Sequence, residues 1–377
     1  MRLLFALTNA YPPQQFGGIQ ANLDTLCRGL VTRGHDVTVV AKLARGDFVW
    51  AKNRLLKKTL GFAHVAERFG NYSLHRDVGV GCAVEALRDR FEPDILVIHD
   101  GWNAACELVS ERLHIPVAVH LHALPPITQA KQLYRLSVRD FICCSSFLAN
   151  KLTRSLPADE GMRIAVIFNA FDPSRYMVNG ECSGRYVTFI NPVHQKGVGV
   201  ALDIARSLPD VSFLFVKGWR LRPDKFAPVL WESRRLGNIT IREATRDMKS
   251  VYRDTRILLM PSQVEEGAGR VITEAQINGI PVIASNLGGI PETIGDGGIL
   301  LPHDDSPAWS ETIRKLLCNP NEWQKLSRAA RANSLLERFS LQKTLDAYEH
   351  FLSRAVLPTR QSANGQNAKN APCATSA

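Results

Sequence analysis

The sequence predicts an α/β protein made of two doubly wound parallel-sheet domains. Short apolar runs alternate with helix-period stretches from residue 2 to residue 146, the pattern of strand-helix-strand units. The same rhythm restarts after residue 172, which calls for a second sheet. With 377 residues, 45% of them hydrophobic and 22% charged, the chain is long enough for two packed cores and too apolar for disorder.

In chain order, "MRLLFALTNAYPP" carries one basic residue and an apolar run that Thr8 and Asn9 interrupt. It therefore reads as a first buried strand and not as a signal peptide. A helical stretch at 19–33 follows, then strands in "DVTVVAK" (36–42), "DILVIHD" (94–100), "PVAVHLH" (116–122) and "DFICCSS" (140–146). "RIAVIFNAFD" (163–172) closes the first domain, 1–172, and the Pro- and Gly-containing segment 173–185 is the linker. The second domain, 186–345, holds strands in "YVTFINP", "VSFLFVKG", "NITIRE", "RILLMPS" and "PVIASN", with a helix over 197–207. Helical periodicity persists over 322–354; the helix end at 346–357 is expected to pack back on the first domain, and 358–377 to be a disordered tail.

Composition removes several classes. No apolar run approaches the ~18 residues that span a bilayer, so membrane contact is peripheral. The net charge of +10 favours anionic partners, but the basic residues are dispersed and no aromatic-basic repeat appears, which argues against nucleic acid. Eight scattered cysteines without metal-ligand spacing fit reduced thiols in the cytoplasm. "NAYPPQQFGG" after the first strand is too long for a G-x-G-x-x-G turn, which argues against a nicotinamide oxidoreductase.

The stretch "EEGAGRVITEAQ" (265–276) sets Glu266 and Glu274 seven residues apart, the first on a loop after a buried strand and the second in the helix that follows. Gly267 and Gly269, flanking Ala268, let backbone N–H groups around Arg270 and Val271 approach an anion at the helix start. Carboxylates accept hydrogen bonds from paired hydroxyls, so a sugar nucleotide suits the pair. The alternative is an exposed helix glutamate and an ordinary loop charge.

The longer stretch "PSQVEEGAGRVITEAQINGIPVIASNLGGIPE" (261–292) resembles the signature of the family 4 retaining glycosyltransferases (glycosyl transferases group 1), of GT-B fold, whose E-x7-E pair matches Glu266 and Glu274. "GGIQANLDTLCRGLVTRGHDVTVV" (17–40) is similar to the family's glycine turn, first helix and second strand, and the likeness extends to about residue 355. The resemblance implies two Rossmann-like domains facing across a cleft, the donor held mainly by the second and the acceptor by the first. It also implies retention of anomeric configuration without a cofactor or bound metal. Lys196, Glu266 and His122 then take the catalytic positions: Lys196 neutralising the leaving diphosphate, Glu266 and His122 orienting the sugar. Gly17, Gly18, Gly267, Ala268, Gly269, Arg270, Val271 and Glu274 bind the donor, Glu274 at the ribose.

Asn191 stands where the family usually has an arginine, and Arg270 is the candidate replacement cation. "NAFD" (169–172) resembles the interdomain turn, and Gly288, Gly289 and Glu292 resemble a loop closing over the donor. A metal-binding reading of His120 and His122 is weak for want of a nearby carboxylate or cysteine cluster. The basic stretch 42–62 interleaves lysine and arginine with Trp50, Leu55 and Phe62, which suits an anionic leaflet, although a solvated helix has the same pattern.

The expected function is transfer of a sugar from a nucleoside-diphosphate sugar to the hydroxyl of a saccharide or lipid-linked acceptor in cell-surface polysaccharide, lipopolysaccharide or glycolipid synthesis. The expected location is the cytoplasm or the inner face of its membrane. A non-catalytic sugar-nucleotide binder of the same fold is the alternative.

Overall fold

The computed structural model of the chain describes residues 1–60, 65–99, 115–123, 127–179, 184–218 and 223–369. Eight strands form the first sheet: β1 (Arg2–Ala10), β2 (Asp36–Lys42), β3 (Val65–Phe69), β4 (Tyr72–Asp77), β5 (Ile95–His99), β6 (Val117–Leu121), β7 (Asp140–Cys143) and β8 (Arg163–Val166). Their order is β3-β4-β2-β1-β5-β6-β7-β8, parallel except for the β3–β4 hairpin. That hairpin is absent from the sequence prediction. Its turn lies at Gly70, whose φ of 63° is one glycine adopts without steric cost.

The second sheet comprises β9 (Tyr186–Ile190), β10 (Phe213–Val216), β11 (Ile239–Arg242), β12 (Thr255–Met260), β13 (Val282–Ser285) and β14 (Gly298–Leu301), all parallel in the order β11-β10-β9-β12-β13-β14. In both sheets the chain runs outward from one strand, then returns to the other side of it: β1 to β5, and β9 to β12. A crevice opens at the carboxyl ends of such switch points, where open α/β sheets hold ligands.

The last helix, Leu341–Lys369, belongs in space to the first domain. Leu345, Tyr348, Leu352, Ala355 and Val356 are buried in one core with Leu3, Phe5, Leu7 and Cys27. A Cβ at Gly29 would stand 2.6 Å from Leu345 Cδ1, so glycine there admits the helix. Glu349 fixes its register, receiving Arg33 Nη1 at 2.5 Å and lying 2.7 Å from His35 Nε2. The helix continues to Lys369, a correction to the disordered tail expected from 358. A helix already anchored by packing adds residues without a new nucleation cost. Residues 370–377 lie outside the described part.

Candidate active site

The two switch points face each other across a cleft of about 590 Å³, within the range of small-molecule sites. All eleven residues selected from the sequence line it: Gly17, Gly18 and His122 from the first domain, and Lys196, Glu266, Gly267, Ala268, Gly269, Arg270, Val271 and Glu274 from the second.

Lys196 sits in a single 3-10 turn after β9, and Glu266 on the loop after β12. Their side chains meet at 2.5 Å, and Ser262 Oγ donates to the same carboxylate oxygen at 2.7 Å. An arriving anion would compete with Glu266 for the ammonium and free the carboxylate for neutral hydroxyl groups. Gly269, at φ 74°, starts the helix Arg270–Gln276.

Glu274 is buried, which removes the exposed-helix alternative. Its Oε1 lies 3.0 Å from Arg270 Nε, and its Oε2 accepts from Tyr252 at 2.7 Å. Burial raises its pKa despite the adjacent guanidinium. Arg270 also donates to the Ala170 carbonyl at 2.5 Å and to the Tyr176 hydroxyl at 3.2 Å. The guanidinium, on the cleft wall, is thereby bonded to Glu274 and to the segment joining the domains, contacts that compete with the role of replacement phosphate cation for which the sequence made it a candidate. Desolvation explains this: a buried guanidinium needs most of its donors met inside the protein.

His122 follows β6. Its Nε2 lies 3.1 Å from His99 Nδ1, and its ring stacks on His120 at 4.2 Å with planes 26° apart. Tyr348 of the last helix lies 3.0 Å from His120 Nδ1 and 3.4 Å from His99 Nε2. Burial lowers the pKa of His122 to about 4 and pushes those of His99 and His120 well below the usual value. At neutral pH all three rings are neutral, so His122 can offer hydrogen bonds but not a positive charge.

Their ligating nitrogens lie within 4.8 Å of one another, a set that could hold a metal ion. Ligands of one metal must aim their lone pairs at a common centre, whereas the His120 and His122 rings lie nearly parallel, so a hydrogen-bonded stack describes them better. The sequence missed His99 and Tyr348. Only the parallel register that sets His99 opposite His120, and the docking of the last helix, reveal them.

The glycine loop also joins the domains. A Cβ at Gly267 would overlap the carbonyl oxygen of His122, and Ala268 is buried in a core of first-domain side chains. Glu292 accepts from the N–H groups of Ser146 at 2.8 Å and Phe147 at 2.5 Å. It thus meets orphan donors at the start of the helix Ser146–Ser155, where a carboxylate is favoured. The sequence had left Glu292 equally between a loop closing over the ligand and a simple strand-to-helix turn. Lys151 and Glu265 form a further ion pair across the interface.

Comparison with known proteins agrees with this architecture. Residues 184–319 match the model described as glycosyl transferases group 1, and residues 16–175 match glycosyltransferase family 4. A D-inositol 3-phosphate glycosyltransferase of Saccharomonospora viridis is 33% identical over 120 residues, 31% of this chain and 27% of that protein. The chain spans about a fifth to under a half of the length of the inositol-phosphate relatives that it matches. A glycogen synthase of Mycobacterium tuberculosis is 24% identical over 380 residues, 88% of this chain and 89% of that one. Anabaena HepE, solved with UDP and glucose, superposes with a TM-score of 0.75 at 19% identity, over 94% of this chain and 99% of that one, a likeness of fold. The chain belongs to the family 4, group 1 glycosyltransferases of GT-B fold.

Proposed function

We propose that the protein transfers a sugar from a nucleoside-diphosphate sugar to an acceptor hydroxyl, with retention of anomeric configuration. The observation that carries this reading is the joint placement of Lys196, Glu266 and the glycine-started helix Arg270–Gln276 on one cleft wall. A diphosphate at Lys196 and the helix start would leave its charge stabilised as the glycosidic bond breaks. Glu266, released from Lys196, and neutral His122 would hold sugar hydroxyls, and Glu274 would meet the ribose. With no candidate nucleophile assigned, retention is read as front-side substitution in which the leaving phosphate oxygen takes the acceptor proton. No metal or other cofactor enters this scheme. HepE, solved with UDP and glucose, supports a nucleotide-sugar donor.

The acceptor is proposed to be a saccharide or lipid-linked hydroxyl presented at the first domain. The helix Phe48–Leu60 leaves Phe48 80% and Leu55 61% exposed beside Arg54, which lies over Trp50. That combination suits an anionic membrane surface, and no helix among the described residues is long and apolar enough to cross one. Pelleting with anionic liposomes at low salt tests the contact.

Calorimetry against UDP, GDP, ADP and their sugar conjugates tests the donor. Selective binding, weakened in Lys196→Ala, supports the reading, and binding to none of them overturns it. Product NMR then tests retention. Tight donor binding without turnover over a broad acceptor panel would point to the non-catalytic alternative, for which Asn191 in the arginine position speaks.

A further inference from the structure

The proposed mechanism gives no role to Asn191, a buried polar residue of the cleft. Asn191 follows β9 with φ at 64°, in the left-handed region that asparagine tolerates better than most residues. It is 5% exposed and lines the cleft. Its backbone is fixed, the N–H donating to Val216 O at 2.7 Å and the carbonyl accepting from Val193 N at 2.8 Å. Its side chain is not: neither Nδ2 nor Oδ1 has a hydrogen-bond partner among the described residues. Buried polar atoms of this kind are nearly always paired, and glycine would satisfy the same backbone without leaving any. An unmet donor and an unmet acceptor side by side in a substrate cleft call for a ligand group that both accepts and donates.

Position narrows the choice. The side chain lies against Gly218 just beyond β10, where a Cβ would come within 3.0 Å of Asn191 Cβ. Lys196 belongs to the other flank of β9, since the preceding Gln195 carbonyl accepts from Gln263 N at 2.9 Å on the β12 loop. Beyond Gly218 the cleft wall continues through Thr245, Arg246 and Met248. A donor whose diphosphate is drawn to Lys196, whose sugar meets Glu266 and whose ribose reaches Glu274 would have this β9–β10 side of the cleft open to the rest of its nucleoside. A phosphate, having only acceptors, would satisfy Nδ2 and oppose Oδ1, whereas a hydroxyl or a base edge satisfies both. Resting on the donor reading above, we infer that Asn191 recognises a neutral accepting-and-donating group on the nucleoside half of the sugar nucleotide, a ribose hydroxyl or the base edge. The position usually held by an arginine would thus have changed from reading charge to reading the nucleoside.

The test is calorimetry of wild type and Asn191→Gly with UDP, UMP and uridine. Glycine keeps the left-handed backbone, so the ligand-free variant should melt within roughly 2 °C of wild type. The expected result is a loss of affinity of about tenfold, similar for all three ligands. Repeating UDP with its 2′,3′-dideoxy analogue separates the sources: the loss vanishes if a ribose hydroxyl is read and persists if the base is, and either supports the inference. Unchanged UDP affinity in Asn191→Gly overturns it, as does a loss present for UDP and UMP but absent for uridine. If wild type binds no nucleoside diphosphate, the donor reading itself has failed.

Discussion

Lowering the pH from 7 to 5.5 should destabilise the first domain through its three clustered histidines. Burial holds His122 near a pKa of about 4, and His99 and His120 well below the ordinary value. The unfolded chain protonates each ring near pH 6.5, while the folded chain keeps all three neutral. Over this window the unfolded state therefore binds more protons, and stability falls as the pH falls. Each ring contributes about 1.2 kcal/mol between pH 7 and 5.5, so the three together cost about 4 kcal/mol, a large part of a typical domain's stability. Urea unfolding at the two pH values reads this directly as a drop in the midpoint at unchanged slope. In His120→Gln, which keeps a polar partner for Tyr348, about 1.2 kcal/mol of the pH dependence should disappear. Equal stability at both pH values in the wild type would show that the rings ionise in the fold, and the account of their burial would be wrong.

Three other outcomes follow from the site. Glu274→Ala leaves Arg270 buried without its carboxylate and should cost about 3–5 kcal/mol, whereas Glu274→Gln keeps an acceptor for Tyr252 and should cost less; thermal melts that do not separate the two contradict the buried pair. Lys196→Ala should lower kcat by roughly 10²–10³ with a smaller change in KM, read by steady-state kinetics once the donor is known. Gly267→Ala should keep both domains folded yet prevent their approach, because its Cβ would meet the His122 carbonyl. An increased radius of gyration by solution scattering, with activity down by about tenfold or more, is expected.

Most strands and eleven of the residues lining the cleft were legible in the sequence because their signals are local. A buried parallel strand is a short apolar run, and the loop Glu266–Gly269 announces itself through glycines beside a carboxylate. The β3–β4 hairpin and β14 escaped notice, since "AERFGNYSLHRD" alternates polar and apolar residues weakly and "GGILLP" is short. What side chains do with their polar atoms was less visible. The inward turn of Arg270 depends on Ala170 and Tyr176, about a hundred residues earlier in the chain. The partnership of Glu292 with Ser146 and Phe147 depends on how closely the domains approach. The unmet amide of Asn191 is likewise a property of its surroundings, although the substitution itself stands plainly in the sequence.

The last helix gives the chain an unusual order of assembly. The first domain is synthesised first, yet Leu345, Tyr348 and Leu352 complete its interior and arrive only after the whole second domain has been made. Until then the emerging first domain would expose the apolar groove that these residues fill, with His99 and His120 lacking the Tyr348 hydroxyl. On the ribosome the second domain is therefore expected to reach its native packing first, and the first domain to become fully stable only once the last helix has emerged and docked.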